Sequence, residues 1–296
     1  MSEQLDAKLK TALDESRLLI LGAQVLFGFT FQAAFQELFS QIDTAGRTLH
    51  VVALCLLSVS VALLIIPSLY HQIACGGRTL HSAIWVATSF ASWSLLPLTL
   101  GLGASTYVVF ARLAGPEAGI AFGGVLAATA LSLLYGIGFA LRKTRKPLPP
   151  ESETSLKTKI EQLLTEARVI IPGGQALLGF QFVATLTKSF ESLPVEMKWV
   201  HAAGLAAVAL SVLLLMTPAA VHRLAFHGED DPQFFKIGSR LVVTAAFPLA
   251  LGISADIAVV AFIITDSEAA SFAIAAAAAV AFFSAWYLYP SLARTR

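Results

Sequence analysis

Residues 15–29 read ESRLLILGAQVLFGF, and residues 166–180 read EARVIIPGGQALLGF. Identical or similar residues fill the same places in both segments, which are separated by 151 residues. Matches at the same offset continue along the chain: His50 and His201, Pro67 and Pro218, His71 and His222, Pro97 and Pro248, Gly101 and Gly252. Because repeated matches at one offset are the sign of an internal repeat, we interpret the chain as a tandem duplication.

The composition indicates that both copies lie in a membrane. Of the 296 residues, 56% are apolar and 13% are charged, whereas a soluble domain carries about 25% charged residues. A transmembrane helix needs about 20 mostly apolar residues. Eight stretches qualify, at residues 18–39, 49–70, 83–111, 119–141, 169–190, 200–221, 241–265 and 269–289. The sequence therefore predicts an all-α integral membrane protein with about eight transmembrane helices in two four-helix repeats.

The repeats are expected to be parallel, because each contains an even number of spans. We place the first repeat at 1–146, a proline-rich cytoplasmic linker at 147–154 and the second repeat at 155–296. Each repeat opens with leucine or isoleucine at four-residue spacing, as in Leu5, Leu9 and Leu13. Such a stripe predicts a helix, which either lies on the membrane surface or extends the first span.

The charges predict the orientation. The net charge is +1, so no strong field attracts nucleic acid, and we expect no nucleic-acid partner. Sixteen of the 20 Lys and Arg residues fall in the termini, the linker and the loops after spans 2 and 6. Because cytoplasmic loops carry the excess of Lys and Arg, we predict a multi-pass protein of the bacterial inner membrane with both termini in the cytoplasm.

The two opening segments, together with PSLYH at 67–71 and PAAVH at 218–222, resemble a bacterial family of four-span membrane proteins of unknown function. The resemblance is most specific in span 1 and at the end of span 2 of each half, and it implies a fusion of two family members. The first half departs from the family pattern at Leu21, where Pro172 keeps the proline, and at Gln72, where Arg223 keeps the basic residue. Some members are labelled sodium:proton antiporter, which implies a cation-linked activity.

Asp256 is the clearest polar residue at membrane depth, about sixteen residues into span 7, and its repeat mate is Ser105. Intramembrane acids are costly and often functional. Asp256 is therefore a candidate proton- or cation-linked group, and the alternative is a structural acid or one near the outer surface.

Two further pairs are pathway candidates. Gln24 and Gln175 lie inside the first span of each repeat, where an amide either joins packed helices or lines a polar pathway. Pro97 and Pro248 lie within long apolar segments. Proline kinks a helix, and a broken helix at matching places in two repeats marks a transport site; an ordinary kink is the alternative.

A last group of polar residues is expected at the membrane interfaces. Arg17 and Arg168 would pair with Glu15 and Glu166 or with lipid phosphates. The histidines of spans 2 and 6 are 21 residues apart, about 32 Å along a helix, so each lies near an interface rather than holding a haem. These four are His50, His71, His201 and His222.

These features favour a transporter or channel for a small ion or solute, cation- or proton-linked. The alternative is a non-catalytic accessory, lipid-interacting or scaffold protein. We find no motif of a soluble enzyme and expect no enzymatic activity, no cofactor and no metal site. Membrane lipids are the expected partners, and the sequence is compatible with a homo-oligomer.

Overall fold

A computed structural model describes residues 2–140, 151 and 153–294. The predicted linker residues 147–150 and 152 lie outside the described residues, as does Arg296. Within these described residues, eight helices are long and apolar enough to cross a membrane, which confirms the predicted fold class. They are α1 (Ser2–Ala33), α2 (Thr44–Ile73), α3 (His81–Ala114), α4 (Pro116–Gly136), α5 (Leu156–Ala184), α6 (Val195–Leu224), α7 (Pro232–Thr265) and α8 (Glu268–Arg294).

The first helix of each repeat begins well before the predicted span. Residues 5–13 belong to the single helix α1, and the corresponding residues of the second repeat belong to α5. Leu5, Leu9 and Leu13 are buried in the bundle. The apolar stripe therefore extends the first span, and of the two alternatives the membrane-surface helix is not what forms.

The same two helices end earlier than predicted. The predicted spans ran to residues 39 and 190, but α1 ends at Ala33 and α5 at Ala184. A 3₁₀ turn, Glu37–Gln41, follows α1, and a short helix, Lys188–Glu191, follows α5. The hydroxyl of Thr187 caps that short helix by accepting from the Phe190 N–H at 3.2 Å. Apolar residues in these turns extend the hydropathy signal without extending the helix.

Within each repeat, short connections make consecutive helices antiparallel. Gln24 lies against Gly173 and Phe180 against Gly28, so α1 and α5 run in the same direction. Therefore α1 and α5 begin, and α4 and α8 end, on one side of the bundle. We call this the terminal side. The most extensive contact between the repeats is that of α1 with α5, which we call the seam. Helix α7 is the most buried of the eight and α4 the least.

The repeats pack differently around this seam. The end of α8 reaches across to α2, where the Trp286 Nε1–H donates to the Ala62 carbonyl at 2.9 Å and Tyr289 packs on Tyr70. Helix α4 instead stays close to α3, because Gly103 and Gly123 bring the two backbones together. The bundle is therefore a duplicated fold without exact two-fold symmetry.

The last helix of each repeat contains one π-helical turn, Ser132–Gly136 in the first and Ser284–Leu288 in the second. In each, a tyrosine hydroxyl donates to a carbonyl of the third span: Tyr135 to Ser92 at 2.5 Å and Tyr287 to Val243 at 2.6 Å. The two acceptor residues, Ser92 and Val243, are 151 residues apart in the sequence, whereas the two donor tyrosines are 152 residues apart. The gapless offset predicted from the sequence therefore shifts by one residue in the last helix.

Candidate functional site

The seam brings polar and small residues of the two first spans together. The Phe180 ring occupies the space that a side chain at Gly28 would need, and the Gln24 amide lies directly against Gly173. Gln24 is buried, yet neither its Oε1 nor its Nε2 has a hydrogen-bond partner among the described residues. Its repeat mate, Gln175, is exposed. The two glutamines predicted as equivalent thus have different environments.

Asp256 is completely buried where α7 packs against α5. The Gln181 Nε2 donates to both carboxylate oxygens of Asp256, at 2.9 Å each. Gln181 is also completely buried, and its own Oε1 has no partner among the described residues. An isolated buried carboxylate is costly, so this amide is the main local compensation. Asp256 therefore faces the bundle interior.

His201 joins this cluster from α6. Its Nε2 lies 3.0 Å from the carbonyl oxygen of Gln181, so the ring carries a proton on Nε2 and donates. The ring packs against Phe31 and Phe35 of the first repeat and against Phe190 of the second. His201 is buried inside the protein.

The first repeat carries a simpler version of this cluster. His50 donates from Nε2 to the Thr30 carbonyl oxygen at 2.8 Å, as His201 does to Gln181, the repeat mate of Thr30. Ser105 stands at the position of Asp256, and its buried hydroxyl has no partner among the described residues. The histidine-to-carbonyl bond is therefore common to both repeats, whereas the amide and the acid occur in the second alone.

A second buried acid, Glu166, lies toward the terminal side of the seam. Its Oε1 accepts from His71 Nδ1 and its Oε2 from Gln72 Nε2, both at 2.5 Å and both from α2. The Gln72 Oε1 accepts in turn from the Ser239 hydroxyl at 2.7 Å. Glu166 is completely buried, and the His71 Nε2 has no partner among the described residues. Three helices from both repeats thus meet at one carboxylate.

This arrangement differs from the predicted interfacial pair. Glu166 contacts His71 rather than Arg168, which is exposed. In the first repeat, Glu15 is exposed and Arg17 is partly exposed. His222, the mate of His71, is partly exposed and stacks on Phe234. Only the second repeat buries its glutamate, because only Glu166 faces the seam.

Two cavities at the terminal side approach the Glu166 cluster. One, of about 180 Å³, is lined by Asp6, Lys10, Glu161 and the buried Gln162. The Gln162 Nε2 donates to the Thr79 hydroxyl at 3.1 Å, and its Oε1 has no partner among the described residues. The other, of about 250 Å³, is lined by Gln72 and Ser239. Asp256 lines neither.

Pro97 and Pro248 lie inside helices that continue through them, α3 and α7. The broken helix considered from the sequence is therefore absent at both prolines. A buried serine of the preceding span donates to the carbonyl three residues before each proline: Ser60 to Ser94 at 3.1 Å and Ser211 to Ala245 at 2.8 Å. Proline removes the bond to the carbonyl four residues earlier, and these hydroxyls add a hydrogen bond in the same turn.

A family model matches this arrangement of two units, over residues 1–137 and again over residues 151–290. The chain belongs to DUF6328, a family of unknown function. The description of the family names no activity, so the antiporter label stays an expectation. Searches of curated proteins and of solved structures found no match.

The two DUF6328 units divide the polar residues unequally. Asp256, Gln181 and Glu166 all belong to the second unit, and their mates are Ser105, Thr30 and the exposed Glu15. Sequence reasoning found Asp256 but missed Gln181 and Ser239. Gln72 had been noticed only as a departure from the family pattern; the structure shows that this departure supplies a donor to Glu166.

In the part of the DUF6328 chain that the structure describes, no three His, Cys, Asp or Glu side chains converge to form a metal site. The chemistry that the arrangement offers is therefore that of hydrogen-bonded carboxyl groups, amides and imidazoles.

Proposed function

We propose that this protein is a proton-linked transporter or channel for a small ion or solute, with a proton pathway along the seam. The supporting observation is the pair of completely buried acids, Glu166 and Asp256. Among the described residues, neither has a lysine or arginine partner. Acids within transmembrane segments face the protein interior and mark proton relays or ion paths.

Protons fit these acids better than sodium ions do. Hard cations bind through several oxygen ligands, whereas the oxygens of both carboxylates here face N–H donors. Asp256 accepts from the Gln181 amide, and Glu166 accepts from His71 and the Gln72 amide. A proton binds to a single carboxylate oxygen and needs no further ligand, whereas a metal ion would have to displace these N–H donors.

The two acids are linked along one face of α5. Gln162, Glu166, Gly173 and Gln181 lie within about one third of the helix circumference, and Gln24 lies on Gly173. From Glu166 to Gly173 is about 10 Å along the helix, and from Gly173 to Gln181 about 12 Å. The unpartnered Gln24 amide is therefore an intermediate hydrogen-bonding group between Glu166 and Asp256. Water that enters between α1 and α5 would complete the proton pathway.

The test is proton flux into liposomes that contain the purified full chain. We expect an imposed pH gradient to drive proton flux, and Asp256→Asn and Glu166→Gln each to reduce it at least tenfold while the protein remains folded. Asp266→Asn and Glu15→Gln are the controls. Asp266 directly follows α7, and Glu15 stands at the repeat position of Glu166. Both acids are exposed, and each substitution should leave flux unchanged.

The same preparation tests the choice of ion. Flux under a sodium gradient alone, abolished by Asp256→Asn, would overturn the proton pathway in favour of a sodium pathway. If neither gradient drives flux through any of these proteins, the transport proposal fails.

A second candidate is a non-enzymatic accessory or scaffold protein. It is favoured by the packing between the two acids, where Ile170 and Leu177 are buried on the same face of α5. A seam that stays closed would only hold the repeats together. Absence of flux, combined with destabilisation by Asp256→Asn, would support this candidate.

We further propose that the terminal side faces the cytoplasm of a bacterial inner membrane. The support is the charge pattern of the sequence, in which sixteen of the 20 Lys and Arg residues fall in the termini, the linker and the loops after spans 2 and 6. Reporter fusions at Arg294 and after Asp266 test this orientation: the first should be active in the cytoplasm and the second outside it, and the reverse would overturn it.

A further inference from the structure

We infer that an anionic phospholipid binds through its phosphate in a pocket that both repeats build on the terminal side. The pocket has a volume of about 690 Å³ and lies between the end of α2, the beginning of α3 and the end of α8. Arg78, Ser82 and Tyr70 line it from the first repeat, and Tyr289, Leu292 and Arg294 from the second. This inference is independent of proton transport.

The charges of the pocket suit a phosphate. Of the described residues, Arg78 and Arg294 are the only charged ones that line it. The Arg78 Nε donates to the Cys75 carbonyl at 3.3 Å, which leaves the terminal nitrogens of the guanidinium for a ligand. Arg294 has no hydrogen-bond or ion-pair partner among residues 2–140, 151 and 153–294. Arginine binds phosphate with two parallel hydrogen bonds, and two arginines facing one cavity can hold one phosphate group.

Among the described residues, no acidic side chain lines the pocket. Glu151, in the linker, lies near the beginning of α3, where its Oε1 accepts from the His81 backbone N–H at 2.6 Å. It does not line the pocket. The adjoining cavity of about 250 Å³ is also lined by Arg294 and adds Arg240. The two cavities therefore share a positive charge and form one basic region.

The apolar part of the pocket suits a lipid rather than a free anion. The Tyr70 and Tyr289 rings are 5.8 Å apart, and Leu80 and Leu292 complete the lining. Tyrosine is enriched where a helix leaves the bilayer, so the pocket lies at headgroup level. Basic pockets between transmembrane helices bind anionic headgroups, and the apolar lining offers a surface to the glycerol and the first part of the acyl chains.

Among the described residues, the repeat mates of the pocket lining differ from it. Val221 stands at the position of Tyr70, and Glu229 stands at that of Arg78. In the last helix, where the offset is 152 residues, the mate of Tyr289 is Ile137. Both tyrosines and the first arginine are thus replaced at the mate positions, so we expect one tightly bound lipid per chain.

The test is native mass spectrometry of the full chain released from nanodiscs of phosphatidylglycerol and phosphatidylcholine. We expect one phosphatidylglycerol to be retained per chain. Arg78→Gln together with Arg294→Gln should weaken its binding by about 30-fold, since each basic residue contributes about a factor of five near an anionic surface. Arg78→Lys alone should keep most of the binding.

The matched control is Arg223→Gln together with Lys236→Gln. It removes two exposed positive charges from the same side of the bundle, away from the pocket, and should retain the lipid. Equal loss in both double variants would overturn the pocket in favour of diffuse surface charge. Retention of phosphatidylcholine to the same extent would overturn the anionic class, and displacement of the lipid by millimolar inorganic phosphate would overturn the lipid as the ligand.

Discussion

The Nδ1 of His71 and the Oε1 of Glu166 lie 2.5 Å apart, so the end of α2 in the first repeat is joined to the beginning of α5 in the second. Gln72 and Ser239 extend this contact to α7. Side chains from three helices are thus joined by hydrogen bonds around one buried carboxylate. The contact has no counterpart at Glu15, which is exposed.

Replacement of Glu166 by alanine should destabilise the bundle strongly. It leaves His71 and the Gln72 amide buried without an acceptor, and removal of one partner from such a cluster costs about 3–5 kcal/mol. Thermal unfolding in detergent, followed by size-exclusion chromatography, measures this loss. Glu15→Ala is the matched control, because its exposed side chain should change the free energy of unfolding by less than about 0.5 kcal/mol. Equal effects of the two substitutions would contradict the seam described here.

Gln181 and Asp256 should be energetically coupled. Gln181→Leu removes the amide that donates to both oxygens of Asp256, and an unsatisfied buried group costs about 1–3 kcal/mol. Once Asp256→Leu has removed the acid, the same Gln181→Leu substitution should cost less. A double-mutant cycle on the free energy of unfolding should therefore give a coupling of at least about 1 kcal/mol. Additive losses would show that the amide does not support the acid.

The sequence predicted the class of fold and the number of spans because hydropathy reports the bilayer directly. It predicted helix ends less well. The ends of α1 at Ala33 and of α5 at Ala184 are set by turns and caps, such as the Thr187 hydroxyl that accepts from the Phe190 N–H. Hydropathy does not report these hydrogen bonds.

The two buried acids show what sequence reasoning can reach. Asp256 stood out because it interrupts an apolar span. Glu166 was placed at an interface because it precedes the apolar stretch, but α5 begins ten residues earlier, at Leu156, and α2 packs beside it. Which helix lies next to which is a long-range property of packing, so Gln72 and Gln181 could be identified as partners only from the structure.

Cys75 should react slowly with alkylating agents at neutral pH. Its side chain is buried, and burial raises the pKa of the thiol to about 11 although the Ser82 hydroxyl opposes the shift. Only the thiolate reacts, so in a Cys55→Ser background the rate should rise about tenfold per pH unit from pH 7 to 10. The SDS-unfolded chain provides the control, and its rate should level off near the ordinary thiol pKa of about 8.5. A plateau at that pH in the folded protein would contradict the buried thiol.

The same shift predicts how stability depends on pH. Because the folded protein holds the Cys75 proton more tightly than the unfolded chain does, the contribution of this proton to stability is complete below about pH 8.5. It is lost as the pH rises through about 11. Cys75→Ala should therefore reduce the fall in unfolding temperature between pH 9 and 11. Cys55→Ala, which keeps Cys75, is the comparison variant and should reduce that fall less.

His227→Gly should stabilise the loop between α6 and α7. His227 adopts a left-handed backbone with φ of +52°, and at the equivalent place in the first repeat Gly76 has φ of +58°. A residue with a Cβ pays about 1 kcal/mol for this conformation, although glycine also gains freedom in the unfolded chain. We expect a net rise in the free energy of unfolding of about 0.5 kcal/mol. The reciprocal substitution, Gly76→Ala, has open space around the new Cβ and should lower stability by about 1 kcal/mol through backbone strain alone. If both substitutions change stability in the same direction, the left-handed conformation at these two loop positions is not what distinguishes them.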